Sequence, residues 1–159
     1  MLSHQALKIV ADSVNPTLGV LALALPFAKW RGQPRPALMH IGVTLLTTAL
    51  MYAVRAAFGL EGVWGSRGMD FSTHASVCII LAVALSSPDW RKVWIWAAVF
   101  VSYDALMVYQ SYHTWVDIGT TSAVIVPFAI SIRYLGDRWT IALQRGRGVS
   151  PSEAASIDR

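Results

Sequence analysis

Apolar residues gather into five segments along this chain, at about 14–29, 37–58, 72–88, 91–109 and 116–134, with short polar stretches between them. A helix needs about 20 residues to cross the hydrocarbon core of a bilayer. Segment 37–58 fits that length best, while 14–29 and 72–88 need their flanks to complete a crossing. Residues 6–14 are weakly amphipathic and either extend the first helix or lie along the interface. The longest connection, about 59–71, carries Gly59, Gly62, Gly65 and Gly68. Beyond Leu135 the chain turns polar. Arg138, Trp139, Ile141, Leu143, Arg145 and Arg147 suit a short basic interfacial helix, and 148–159 reads as disordered. The pattern predicts an all-α polytopic membrane bundle of about five spans. It forms a single domain over 1–135, followed by a polar cytoplasmic tail over 136–159.

Composition supports a membrane protein. The chain is 55% hydrophobic and 14% charged, with a mean hydropathy of +0.48, whereas soluble domains carry about a quarter charged residues. The net charge of +4 does not point to nucleic acid, because the basic residues sit at the ends of apolar segments. One cysteine, Cys78, lies inside an apolar run and reads as core packing. Residues 1–28 lack a strongly basic start and are interrupted by Asn15-Pro16, which argues against a cleavable signal.

Charge bias sets an expected orientation. Of 13 Lys and Arg, ten (Lys29, Arg31, Arg35, Arg91, Lys92, Arg133, Arg138, Arg145, Arg147 and Arg159) fall in one set of connections. Only Lys8, Arg55 and Arg67 fall in the other. The richer set is cytoplasmic by the positive-inside rule. Trp30, Trp90, Trp94 and Trp139 then mark the inner interface and Trp64 and Trp115 the outer one, with Tyr103, Tyr109 and Tyr112 as further interface anchors.

This topology gathers the candidate chemistry on one side. His74 opens the third segment, and His113 and Asp117 open the fifth; both segments descend from the outer face. Arg55 and Asp104 lie about one turn below that face. A His followed four residues later by an Asp shares a helix face with it, so the carboxylate can fix the imidazole and stabilise its cation. A second histidine opposite could protonate a leaving group. Ionisable groups within a membrane usually face a bundle interior or a wet cavity. His4 and His40 have no partner at useful spacing and read as structural.

The run Phe71-Ser72-Thr73-His74, with His113-x3-Asp117 followed by Ile118-Gly119, resembles the second and third motifs of the type 2 phosphatidic acid phosphatases. These are integral membrane lipid phosphatases. The resemblance covers roughly residues 50–120. It implies His113 as the nucleophile that takes the phosphoryl group, Asp117 as its orienting and charge-balancing partner, and His74 as the acid for the departing alcohol. Ser72 and Thr73, with Arg55 and Arg67, are the candidate phosphate-binding residues. The implied substrate is a lipid phosphate or diphosphate ester, with no metal or other cofactor. The expected setting is a bacterial cytoplasmic membrane with the site on its extracytoplasmic side. The chain departs from the family pattern at several positions. Met107 and Leu106 stand where the third motif has Arg and Ser, and Phe71 and Thr73 where the second has Pro and Gly. The Lys-x6-Arg-Pro motif is absent from the outer loop; Lys29 with Arg35-Pro36 is one residue short.

Other readings of the same residues stay open. Asp117 can be a helix N-terminal residue that favours the dipole, and Asp70 or Ser72 a cap for the helix that His74 opens. Arg55 can pair with Asp104 rather than with phosphate. The sphingomyelin synthase-like phosphotransferases also work with two His and an Asp, and a catalytically degenerate lipid-binding protein is a third possibility.

Overall fold

A computed structural model of the chain describes residues 4–58 and 64–145. Five helices account for nearly all of them: α1 (His4–Lys29), α2 (Pro34–Phe58), α3 (Thr73–Ser86), α4 (Val93–Tyr109) and α5 (Trp115–Arg145). Short 3-10 turns occupy Gly65–Arg67 and Trp90–Lys92. The fold is an all-α membrane bundle, as the apolar pattern predicts. Four stretches, Gln5–Lys29, Pro34–Ala57, Trp90–Tyr109 and Trp115–Ala142, are long and apolar enough to cross a bilayer.

The third segment differs from the other four. α3 has only 14 residues, about 21 Å of helix against a hydrocarbon core of about 30 Å. It packs against all four other helices, while α1 also packs on α2 and α4, and α2 on α5. Nine of its residues, spread around its whole circumference, are buried. A helix that is apolar on every side belongs at the centre of a bundle. By contrast, α4 buries only Tyr103, Asp104 and Met107 and turns Trp94, Ile95 and Val101 outward.

Several boundaries differ from the expected ones. Residues 6–14 are the first turns of α1, which passes through Pro16 without a break. The basic stretch after Leu135 is a direct continuation of α5. Residues 59–63 of the glycine-rich connection and 146–159 of the tail lie outside the described residues. Trp64 and Tyr103, expected at the interface, are core residues at 6% and 3% exposure. Each is drawn inward by a polar partner. Trp64 Nε1 donates to Thr120 Oγ1 at 3.2 Å, and Tyr103 Oη accepts from Asn15 Nδ2 at 3.3 Å. Trp115, Trp90, Trp94 and Trp139 are exposed.

Hydroxyl groups inside the bundle close onto their own helices. Thr44, Thr47, Ser76 and Ser86 each donate to the carbonyl four residues back, at 2.7–2.9 Å. This arrangement leaves none of these four hydroxyl hydrogens bare in hydrocarbon. Small residues also bring helices close. A Cβ on Gly136 of α5 would lie 2.6 Å from Val43 Cγ2 of α2. Valine is stiff at χ1 and cannot swing away cheaply. We therefore expect Gly136→Ala to lose about 1–2 kcal/mol through overpacking, despite alanine's better helix propensity. Adding Val43→Ala should recover most of that loss in detergent unfolding curves. A rise in stability for Gly136→Ala alone would refute the close approach.

Candidate active site

The turn that carries His113 is fixed at both ends by local hydrogen bonding. α4 stops with Ser111 N–H on Val108 O at 2.9 Å and Tyr112 N–H on Met107 O at 3.0 Å. This is a Schellman-type ending. Its left-handed position, usually glycine, is Ser111 at φ 59°. Three residues later α5 begins with a capping box. Thr114 Oγ1 accepts from Asp117 N–H at 3.2 Å, and Asp117 Oδ2 accepts from Thr114 N–H at 2.9 Å. The Thr114 hydroxyl also donates to Asp117 Oδ2, at 2.7 Å. His113 is held between these two terminations.

α3 starts in a similar way. Ser72 is its N-cap, with Oγ accepting from Ala75 N–H at 3.2 Å. The approach to that cap is stitched to α5. Asp117 Oδ1 accepts from Asp70 N–H at 2.8 Å, and Thr121 Oγ1 accepts from Ser72 N–H at 3.1 Å. Phe71 and Trp64 pack edge to face beside these bonds, with centroids 5.1 Å apart. Asn15 of α1 donates to His74 O at 3.2 Å. It thereby ties the first turn of α3 to α1, and through Tyr103 to α4.

The two histidines meet across these caps. The His74 and His113 rings lie 6.0 Å apart between centroids, tilted by 55°. The His113 side chain is 9% exposed and its Nδ1 lies 3.6 Å from Asp70 Oδ2, while His74 is on the exposed side.

The other expected site residues divide. Asp117 stands beside His113, but its oxygens serve Asp70 N–H and Thr114. The carboxylate facing His113 Nδ1 belongs to Asp70, read from sequence only as a possible cap. Ser72 is 1% exposed, with its hydroxyl engaged as a cap, so it presents nothing to a phosphate. Thr73, next in the chain, is half-buried at the first turn of α3. Arg55 is half-buried near the end of α2, and no ion pair joins it to Asp104 among the described residues. Arg67 is exposed on its 3-10 turn. Met107, which the resemblance sets against an Arg, is 3% exposed within an apolar cluster with Ala11, Leu18 and Cys78.

Two groups with structural bearing on the site carried little sequence signal. Asn15 looked like a helix interruption, and Asp70 sits four residues before His74 but 43 before its actual partner. No family model, curated protein or solved structure matches the chain.

The position of Asp117 makes it a support for both caps at once. We expect Asp117→Ala to cost about 2–4 kcal/mol, because it strips charge-assisted bonds from two buried segments. Asp117→Asn should cost about half of that. Unfolding in detergent measures both. An Asp117→Ala protein as stable as the parent would show that the caps do not depend on it.

Proposed function

We propose that this protein is a membrane lipid phosphatase, similar in chemistry to the type 2 phosphatidic acid phosphatases. It would hydrolyse a lipid phosphate or diphosphate ester through a phosphohistidine. The observation that carries the reading is the 6.0 Å approach of the His74 and His113 rings. These come from two helix starts that are far apart in sequence. Two contacts of about 3 Å span such a gap, the separation from which a bound phosphoryl group can react on one side and receive a proton on the other.

In this reading His113 attacks phosphorus through Nε2, because Nδ1 faces the Asp70 carboxylate at 3.6 Å. The P–N bond forms as the P–O bond to the leaving group breaks. His74, in its cationic form, gives its proton to the departing oxygen. Neutral His74 then takes a proton from water. The water oxygen attacks the phosphohistidine, breaking the P–N bond and returning both imidazoles to their first state. The negative charge of Asp70 stabilises the imidazolium character that develops at His113, while Asp117 fixes the turn. Arg55, Arg67 and Thr73, with the positive end of the α3 dipole, are the groups proposed to hold the phosphate. A lipid entering between helices keeps its chains in hydrocarbon and brings its headgroup to this layer.

The ten-to-three bias of Lys and Arg supports a site facing the extracytoplasmic side; the membrane proposed for it is a bacterial cytoplasmic membrane. Cysteine labelling tests the orientation in a Cys78→Ala background. A membrane-impermeant maleimide applied to right-side-out vesicles should label Ser66→Cys and spare Gln33→Cys. The opposite pattern would invert the topology.

His113→Ala and His74→Ala should each lower turnover of a lipid phosphate panel in proteoliposomes by about a thousandfold or more. An acid-labile, alkali-stable phosphoryl adduct should form on the parent and be absent from His113→Ala. Full activity in either variant would sink the mechanism. A second reading has its own support in the burial of Met107: an apolar cluster occupies the place of a phosphate-binding Arg. Saturable lipid binding without hydrolysis or transfer across the panel would select that degenerate, lipid-binding protein. Phosphoryl transfer to an added lipid alcohol would select the phosphotransferase.

A further inference from the structure

A cavity of about 1090 Å³ lies at the opposite end of the bundle from His74 and His113. It sits beyond the C-terminal end of α3, where Ala84, Leu85, Ser87 and Pro88 form part of its wall. The ends of α1, α2, α4 and α5 complete it.

Its charge is one-sided. Lys29, Arg91, Lys92 and Arg133 line it, against Asp89 and Asp137. Four cations less two carboxylates leave a net +2. The clustering of basic residues at one membrane face is ordinary, and it accounts for the exposed Lys29, Arg91 and Lys92. It does not account for Arg133, which is only 4% exposed. Arg133 Nε and Nη2 bond Asp137 Oδ1 at 3.0 and 2.6 Å, and Nη1 bonds His40 O at 3.1 Å. Its remaining N–H groups have no partner among these.

The second observation concerns neutral donors. Trp30 Nε1 and Trp96 Nε1 are buried indole nitrogens without a hydrogen-bond partner, and both residues line this cavity. His40 is 3% exposed and packs on the Trp30 ring at 5.4 Å. An indole nitrogen can only donate. Unmet buried donors are costly and ask for an explanation, and what this cluster lacks is acceptors. A phosphate offers several anionic oxygens at once, which suits a planar guanidinium and converging N–H groups. The remaining walls, including Ala22, Leu25, Pro26 and Leu85, are apolar. Exposed Trp90, Trp94 and Trp139 lie on the same ends of α4 and α5, at the level where indoles meet lipid headgroups.

We propose that this cavity binds the phosphate of an anionic lipid headgroup, with Arg133, Trp30 and Trp96 facing the phosphate and Arg91 and Lys92 supplying field at the mouth. The site is separate from the histidine pair and does not depend on the phosphatase reading.

The test uses full-length His113→Ala protein, so that no turnover can intervene, in nanodiscs of neutral phosphatidylcholine. Adding phosphatidylglycerol should give a saturable change in tryptophan fluorescence and a higher melting temperature. The double variant Arg91→Gln/Lys92→Gln removes exposed charges and should fold normally. It should bind about fivefold more weakly per charge removed. Arg133→Lys keeps the charge but loses the planar fork, and should weaken binding further. Competition by inorganic phosphate would show that the phosphate group is enough. Lipid binding without such competition would show that the acyl chains are also needed. Either result supports the site. An equal response to phosphatidylcholine and phosphatidylglycerol would overturn it, as would binding unchanged in both variants.

Discussion

The shortness of α3 constrains everything else in this bundle. Its 14 residues lie at the centre of four longer helices, so its ends stop short of the depth its neighbours reach. Backbone groups at a helix end have no partners within the helix. In a protein that excludes water, they must be met by side chains or by other chain segments. At the N-terminal end the segment before α3 folds in over it as a plug. Trp64 and Phe71 fill the space, and Ser72, Thr121 and Asp117 satisfy the backbone. At the C-terminal end no comparable plug exists among the described residues, and the large cavity remains. The two ends of one short helix thus account for both places where chemistry is concentrated.

Capping and the proposed chemistry draw on the same residues at the plugged end. The spacing His113-x3-Asp117 suggests a carboxylate aimed at an imidazole. The spacing Thr114-x-x-Asp117 describes a capping box over the same residues. Asp117 hydrogen-bonds as the second pattern requires, and it also reaches across to Asp70 N–H. The bond to Asp70 matters for the histidines because it places the Asp70 carboxylate within 3.6 Å of His113 Nδ1. A residue that looks like a charge partner in sequence here positions the backbone of the residue that becomes one.

The hydrophobic pattern made the helices legible because each apolar segment has helical length and is closed by polar or turn-forming residues. It also placed His74 and His113 at matching helix starts, and their rings do meet. Local polar satisfaction was harder to read. Ser72 looks equally like a phosphate ligand and a cap, and only burial at 1% decides between them. Trp64 and Tyr103 have interface-type chemistry, yet one hydrogen bond each, to Thr120 and from Asn15, holds them in the core. Such bonds join residues 56 and 88 positions apart, beyond the reach of any periodicity. His40 shows the same limit. Its imidazole has no partner at helical spacing; Trp30, just past α1, packs on the ring and Ala84 of α3 hydrogen-bonds it.

The polar groups of the two ends also differ in a way that bears on function. Around His113 the backbone N–H groups of Asp70, Ser72, Ala75 and Thr114 are met by the side chains of Asp117, Thr121 and Ser72. A region closed in this way holds its geometry without a ligand, which suits the preorganised site proposed for the two histidines. Around Arg133 the balance is reversed. Cations outnumber carboxylates, the Trp30 and Trp96 indole nitrogens remain unmatched, and the space beside them is large. A region built that way gains its missing partners from whatever occupies it. The same short central helix therefore leaves one end closed by its own side chains and the other open as a basic cavity.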